Sequence, residues 1–178
     1  MNTTFSYNKF YSEMEFSLPG STAEKRKMWA IIIIEENIEI KDISRLLKCE
    51  RKVASRFLWL LSEVGVLNPN KLFLELPFLL DLSDHLNHGY QTSFATFWLI
   101  AGVPLENEAR AIHLLFQWLL SAKTNVTTKS RSLLVLLKLT KKYPELKHEL
   151  KLCIEDQMDK YTNDFKKRAT KILSKLEQ

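Results

Sequence analysis

The sequence is poor in the residues that turn or interrupt a chain. It contains 4 glycines and 5 prolines among 178 residues, about 5% together, whereas ordinary chains contain about 12%. Proteins built of β-strands need turn residues at short intervals, and disordered chains contain fewer large apolar residues than this one. Leucine is abundant instead, with 30 copies, and apolar residues make up 46%. This composition predicts a globular, all-α protein.

Other absences narrow the protein class. Two cysteines, Cys49 and Cys153, do not make a disulfide framework; we expect both to be buried or half-buried thiols. No apolar run approaches the roughly 20 residues of a membrane-spanning helix, and residues 1–20 lack the basic and apolar regions of a secretory signal. The sequence therefore predicts a cytoplasmic protein without membrane contact.

The sequence also lacks motifs of known chemistry. There is no glycine-rich phosphate loop and no Gly-x-Ser-x-Gly element. His85 and His88 have helical spacing, but only Asp81 and Asp84 lie near them in sequence, and a zinc site needs three or four ligands in a fixed shell. We expect no catalytic residue, no cofactor and no metal site.

Capping signals and apolar periodicity divide most of the chain into helices. Ser21 with Glu24 resembles a capping box, Asn68 precedes Pro69, and Thr162 can cap the last helix. Residues 1–20 lack a clean period, but they carry five aromatic residues and should dock on the body of the protein. The pattern predicts nine helices: 22–37, 41–48, 50–65, 69–86, 91–101, 105–121, 127–142, 144–158 and 162–177.

The pattern of the helices recurs along the chain. Arg56, Phe94, Arg131 and Arg168 are 38, 37 and 37 residues apart, and similar residues follow each of them at fixed offsets. One helical face therefore recurs with a period of about 37 residues, as stacked helical hairpins require. The repeated positions are Phe57, Ala95, Ser132 and Ala169 at offset one; Leu60, Trp98, Val135 and Ile172 at offset four; and Leu61, Leu99, Leu136 and Leu173 at offset five. We expect the four leucines to be buried between hairpins.

Residues 130–150 and 165–173 resemble small bacterial HEAT-like (armadillo-type) repeat proteins of unknown function. The resemblance covers about 50–178 and implies an α-α superhelix. We expect a single HEAT-like domain, 1–178, that consists of a docking segment (1–20), first helices (21–49) and repeats (50–178). The resemblance implies no catalytic residues. It also implies that the second helix of each hairpin lines a concave surface, which would bind another protein.

Some look-alike proteins carry the label adenylosuccinate lyase. That enzyme family is known for a mobile loop with the sequence Ser-Ser-x-Met-Pro. This chain has no Ser-Ser pair and no methionine before a proline, so its motifs do not support the lyase label.

Nucleic-acid binding is the alternative to protein binding. Residues 41–65 resemble a helix-turn-helix with several basic residues, although Lys48 occupies the usual glycine of the turn and no β-hairpin follows Gly65. The second candidate region is the basic C-terminal third. Residues 123–178 carry 14 basic and 7 acidic residues, a net charge of +7, whereas residues 1–122 carry 12 and 14, a net charge of −2.

The last helix separates apolar from basic side chains. Phe165, Ala169 and Ile172 share one arc with Leu173 and Leu176, and basic residues occupy the opposite arc. Without an element that reads base edges, we expect any binding of nucleic acid to be weak. The candidate contacts to an anion or partner are Lys147, Lys151, Lys167, Lys171 and Lys175.

Two further expectations concern the repeated large residues. Trp59, Trp98 and Trp118 fall on apolar stripes and should pack in the core. Arg56, Arg131 and Arg168 begin equivalent helices and could form ion pairs with carboxylates of adjacent units. The sequence as a whole predicts a non-catalytic helical-repeat protein that binds or scaffolds another protein.

Overall fold

A computed structural model describes residues 6–83 and 90–177, and these residues form helices and no strand. The α-helices are α1 (Tyr7–Ser17), α2 (Ala23–Glu35), α3 (Ile40–Ile43), α4 (Arg51–Leu67), α5 (Pro69–Ser83), α6 (Tyr90–Ala101), α7 (Glu108–Leu120), α8 (Val126–Leu139), α9 (Leu146–Gln157) and α10 (Asn163–Leu176). Short 3₁₀ helices span Leu18–Gly20, Ser44–Lys48, Leu105–Asn107 and Met158–Lys160. The all-α prediction is therefore confirmed.

The chain forms two compact units, Met1–Ser93 and Phe94–Gln178. In the first unit, α4 packs against α2 and α5, and α5 packs against α3. In the second unit, α8 packs against α7, α9 and α10, while α9 packs against α7 and α10. In both units, helices two places apart in sequence are in contact, and from α7 to α10 each helix also contacts its neighbour in sequence.

Polar caps fix where several helices begin. Asn68 Oδ1 accepts from Lys71 N at 3.0 Å at the start of α5, as its position before Pro69 predicts. Thr162 Oγ1 accepts from Phe165 N at 3.3 Å, which confirms Thr162 as the cap of α10. At α2 the cap is Thr22, whose oxygen accepts from Lys25 N at 3.2 Å, so the expected cap at Ser21 is wrong by one residue.

The first helix, α1, has no counterpart among the predicted helices. Its Phe10 and Tyr11 are buried, whereas Phe16 is 89% exposed. The guanidinium carbon of Arg45 lies 3.5 Å from the centre of the Tyr11 ring, and the Tyr7 hydroxyl donates to Asp42 O at 3.0 Å. These contacts hold α1 against the segment from α3 to the following 3₁₀ helix.

Residues 41–65 do not form a winged helix. The segment before α4 is a four-residue helix followed by the 3₁₀ helix Ser44–Lys48. Within 41–83, which the structure describes throughout, α5 begins at Pro69, directly after the Asn68 cap of α4. The chain therefore has no β-wing at the position where that fold requires one.

Two of the three tryptophans expected in the core are there. Trp98 and Trp118 are buried and stack with their ring centres 5.7 Å apart. The expectation is wrong for Trp59, which is 47% exposed. The guanidinium carbons of Arg26 and Arg56 lie 5.3 and 4.2 Å from the centre of its ring, so cation–π contacts replace apolar packing at this position.

The repeated positions differ in burial. All residues at offsets one and four are buried. At offset five, Leu61 and Leu136 are fully buried, but the expectation is wrong for Leu99 and Leu173, which are only half-buried. A 100° step per residue places offset five nearer the edge of the buried face than offset four.

A buried carboxylate links the beginning of α7 to the connection between α8 and α9. Lys142 Nζ donates to Glu108 Oε2 at 2.6 Å, and the Tyr143 hydroxyl donates to the same oxygen. Burial raises the pKa of the Glu108 carboxyl, but the hydrogen bonds from Lys142 and Tyr143 outweigh it, so that this pKa lies below its ordinary value. The ionised carboxylate therefore stabilises the second unit.

Truncation of equivalent leucines should lower the free energy of unfolding more at a core position than at the edge of the buried face. We expect Leu136→Ala to lower the free energy of unfolding by about 2–5 kcal/mol, because the site is fully buried. Leu173→Ala should cost clearly less, because its side chain is half-buried. Urea denaturation monitored by circular dichroism measures both. Equal losses would contradict this assignment.

Replacing Glu108 by glutamine should make the Tm of the protein less dependent on pH in the acidic range. A lowered carboxyl pKa contributes stability that is present above the unfolded-state pKa, about 4.3, and is lost as the pH falls through the folded-state pKa. We therefore expect Glu108→Gln to lower Tm at pH 7 and the difference from wild type to shrink below about pH 4. Glu106→Gln, at an exposed neighbouring position, is the control. A difference that does not change with pH would contradict the role of the charge.

Candidate functional site

A groove of about 550 Å³ runs between α8 and α10. We refer to it as the α8–α10 groove. Leucines of α8 and basic residues of α10 form most of its wall. The lining residues are Leu134 and Leu137 of α8 with Asp164, Lys167, Arg168, Lys171, Ile172 and Lys175 of α10.

The two helices lie side by side from their first residues. Asn125 caps α8 by accepting from Thr128 N at 2.9 Å, just as Thr162 caps α10. A smaller hollow of about 270 Å³ lies between these two beginnings and shares Asp164 and Arg168 with the groove. The helices are therefore parallel neighbours, and the hollow continues the groove toward their N-termini.

The sequence pattern of α10 explains how it presents charge to the groove. Phe165, Ala169, Ile172 and Leu176 are buried, and they recur at intervals of three or four residues, as one face of a helix does. Lys167, Lys171 and Lys175 are exposed and four residues apart. Burial of the apolar face therefore holds the lysines along the groove.

Four cations of α10 have no ion pair among the residues that the structure describes. They are Lys167, Arg168, Lys171 and Lys175, which we call the groove cations. Other lysines nearby are paired: Lys160 lies 2.9 Å from Asp156, and Lys166 contacts Asp159. No ion pair with a described carboxylate therefore neutralises any of these four cations.

The structure brings together three of the five lysines that the sequence singles out. Lys167, Lys171 and Lys175 line the groove. Lys147 and Lys151 lie on α9 and do not line it. Lys151 instead contacts Glu177 at 3.3 Å and Glu155 at 4.0 Å.

Arg168 is a groove residue to which sequence analysis gave a structural role. Neither Arg56 nor Arg168 forms an ion pair within residues 6–83 and 90–177, so the expected arginine–carboxylate pairs are absent at both positions. Arg56 lies over Trp59, and Arg168 lines the groove. The amphipathic pattern of α10 already carried the signal, because Arg168 falls on its basic arc.

A buried lysine positions the helices around the groove. Lys129 of α8 is fully buried. Its Nζ donates to Leu119 O in the last turn of α7 and lies 4.7 Å from the centre of the Tyr161 ring, just before α10. One ammonium group of α8 thus contacts the last turn of α7 and the residue that follows the 3₁₀ helix Met158–Lys160. Nothing in the sequence marks Lys129 as buried, because a lysine within a helix is usually exposed.

A second lysine of α8 makes a related contact at the other end of the helix. Lys138 Nζ donates to Leu99 O, in the last turn of α6, at 2.8 Å. Carbonyls in the last turn of a helix have no partner within the helix, and the helix dipole makes that end negative. The two lysines of α8 therefore cap the C-terminal ends of two preceding helices.

The two thiols do not point to nucleophilic chemistry. Cys153 is buried and Cys49 is half-buried, as the sequence predicts. Burial raises the pKa of both thiols, and for Cys49 the neighbouring Glu15 raises it further. A raised pKa reduces the reactive thiolate at neutral pH.

Comparison with known proteins finds no match to a family model, to a curated protein or to a solved structure. Within the described ranges, no three potential ligands are grouped to hold a metal ion. His85 and His88 lie outside those ranges. None of the helices in the described part of the chain is both long and apolar enough to cross a bilayer.

Replacing Lys129 by the similarly sized methionine should destabilise the second unit. Lys129→Met leaves the buried Leu119 carbonyl without this donor, a loss that typically costs about 1–3 kcal/mol. Lys138→Met should cost less, because water can replace the exposed Lys138 at the Leu99 carbonyl. Urea denaturation compares the two variants. An equal or smaller loss for Lys129→Met would show that its buried hydrogen bond adds no stability.

Proposed function

We propose that the chain is a HEAT-like (armadillo-type) helical-repeat protein that binds another protein and does not catalyse a reaction. The observation that carries this proposal is the alternation of helix contacts. In the second unit, α8 contacts α10 and α7 contacts α9, while α8 and α9 contact each other as a hairpin. Stacked hairpins produce this pattern, because equivalent helices of successive repeats become neighbours.

The burial of the repeated positions supports the same proposal. Every residue at offsets one and four is buried, including the polar Ser132. Equivalent residues therefore meet similar environments, as expected if each pair of helices is one copy of a structural unit. In the first unit, α4 contacts α2 and α5 contacts α3, which repeats the alternation.

Exposed leucines on several helices support the proposed binding of a protein. A layer of packed helices presents the outer side chains of several helices together, and helical-repeat proteins bind partners on surfaces of this kind. Leu74 of α5, Leu120 of α7 and Leu152 of α9 are 73%, 47% and 52% exposed. Leu74 lies on a second helix in the first unit, and Leu120 and Leu152 lie on second helices in the second unit. We expect a partner to contact the second helices of either unit.

Nucleic-acid binding is the second candidate, and the unpaired groove cations favour it. Binding of this kind depends on the release of counterions and weakens steeply with salt. Fluorescence anisotropy with labelled duplex DNA at two salt concentrations tests it. Tight binding to one duplex at physiological salt would favour this candidate over protein binding.

Photo-crosslinking in cells of the natural host tests the proposed function. Benzoylphenylalanine replaces Leu74, Leu120 or Leu152 one at a time, and the tagged protein is purified under denaturing conditions after irradiation. We expect discrete adducts that protease removes and nuclease does not. The exposed Lys48 on the 3₁₀ helix is the control position. The proposal is wrong if all three positions give no adduct, or only adducts that nuclease removes.

A further inference from the structure

The α8–α10 groove combines an apolar floor with a basic rim. Leu134 and Leu137 are half-buried, and Ile172 is buried, so apolar side chains form the floor. The groove cations stand along one side, and Arg131 lines the continuation of the groove between the helix beginnings. A ligand that fits this surface needs both apolar groups and negative charges.

The side chains that line the groove give it a net positive charge. Four groove cations and one carboxylate, Asp164, line the groove. Asp164 is four residues before Arg168, a spacing that allows an ion pair on a helix, yet no pair between them occurs in the structure. The groove cations are therefore available to carboxylates of another molecule.

We propose that the α8–α10 groove binds an acidic protein segment that inserts large apolar side chains between its carboxylates. This inference rests on the proposed protein-binding function and names the partner's chemistry at one surface. The apolar side chains contact Leu134, Leu137 and Ile172, while the carboxylates approach the groove cations. Apolar burial supplies affinity, and charge complementarity supplies orientation and selectivity.

The length of the groove limits the size of that segment. Residues 164–175 of α10 span about 18 Å at 1.5 Å per residue. A bound helix of the same length has about three turns and presents apolar side chains at intervals of three or four residues. An acidic amphipathic helix of about 12 residues therefore matches both the length and the chemistry.

The groove favours a protein segment over a nucleic acid. Phosphates gain nothing from the leucine floor, whereas apolar side chains of a protein segment are buried against it. Bases of single strands bind by stacking on exposed aromatic rings. The only aromatic residue that lines the groove or its continuation within the described chain is Phe165, which is buried.

Fluorescence anisotropy with designed probes tests the proposal on the full chain. The main probe is a labelled amphipathic peptide of about 14 residues with leucines on one helical face and glutamates elsewhere. A second peptide replaces its leucines by alanine, and a third replaces its glutamates by glutamine. Single-stranded and duplex DNA of similar length serve as polyanions. We expect the main peptide to bind at least about tenfold more tightly than every other probe at physiological salt.

Two charge variants locate the binding. We expect the triple variant Lys167→Gln, Lys171→Gln and Lys175→Gln to weaken the main peptide about tenfold or more, the combined loss expected from several charge contacts. The matched variant Lys9→Gln, Lys27→Gln and Lys48→Gln replaces three exposed lysines of the first unit and changes the net charge by the same amount. It should change the affinity less than twofold. Circular dichroism confirms that both variants are folded.

Several outcomes overturn the proposal. If no peptide binds, if the alanine peptide or DNA binds as tightly as the main peptide, or if the two triple variants weaken binding equally, the groove is not such a site. These failures are distinct from failure of the proposed function. Crosslinked protein partners at α5, α7 or α9 without peptide binding would reject only the groove. Peptide binding without any crosslinked partner would reject the second-helix surface.

Discussion

The second unit depends on one buried ammonium group. Lys129 lies inside a layer of helices and contacts the last turn of α7 and the aromatic ring of Tyr161. A buried cation is costly unless it is paired with polar groups, and here a helix C-terminus and a π-face provide them. Because α8 carries the lysine, the start of α10 is fixed relative to α8. The α8–α10 groove lies between the two helices that this contact joins.

The basic residues of the C-terminal third have different roles that composition cannot separate. Lys129 and Lys138 cap helix ends, and Lys142 binds a buried carboxylate. The groove cations have no such role among the described residues. The net charge of +7 that marks this region in the sequence thus combines structural contacts with charge that faces solvent, and only the second kind bears on binding.

Sequence patterns predicted the helices well where the period was regular. The apolar and basic arcs of α10 correctly assigned Ile172 to the buried face and Lys171 to the exposed face, because the face of a residue depends only on the period of its own helix. Helix α1 was missed, because its buried Phe10 and Tyr11 are followed by the exposed Phe16, which obscures the period. Trp59 was misplaced, because arginines from two helices surround its ring. The groove depends on which helices are neighbours, and no single-helix pattern contains that information.

The alternation of helix contacts also has a kinetic consequence. Among the described residues, the main helix contacts within each unit join helices one or two places apart, so most contacting residues are close in sequence. Chains with such local contacts pay little loop-closure entropy before their contacts form, and they fold quickly.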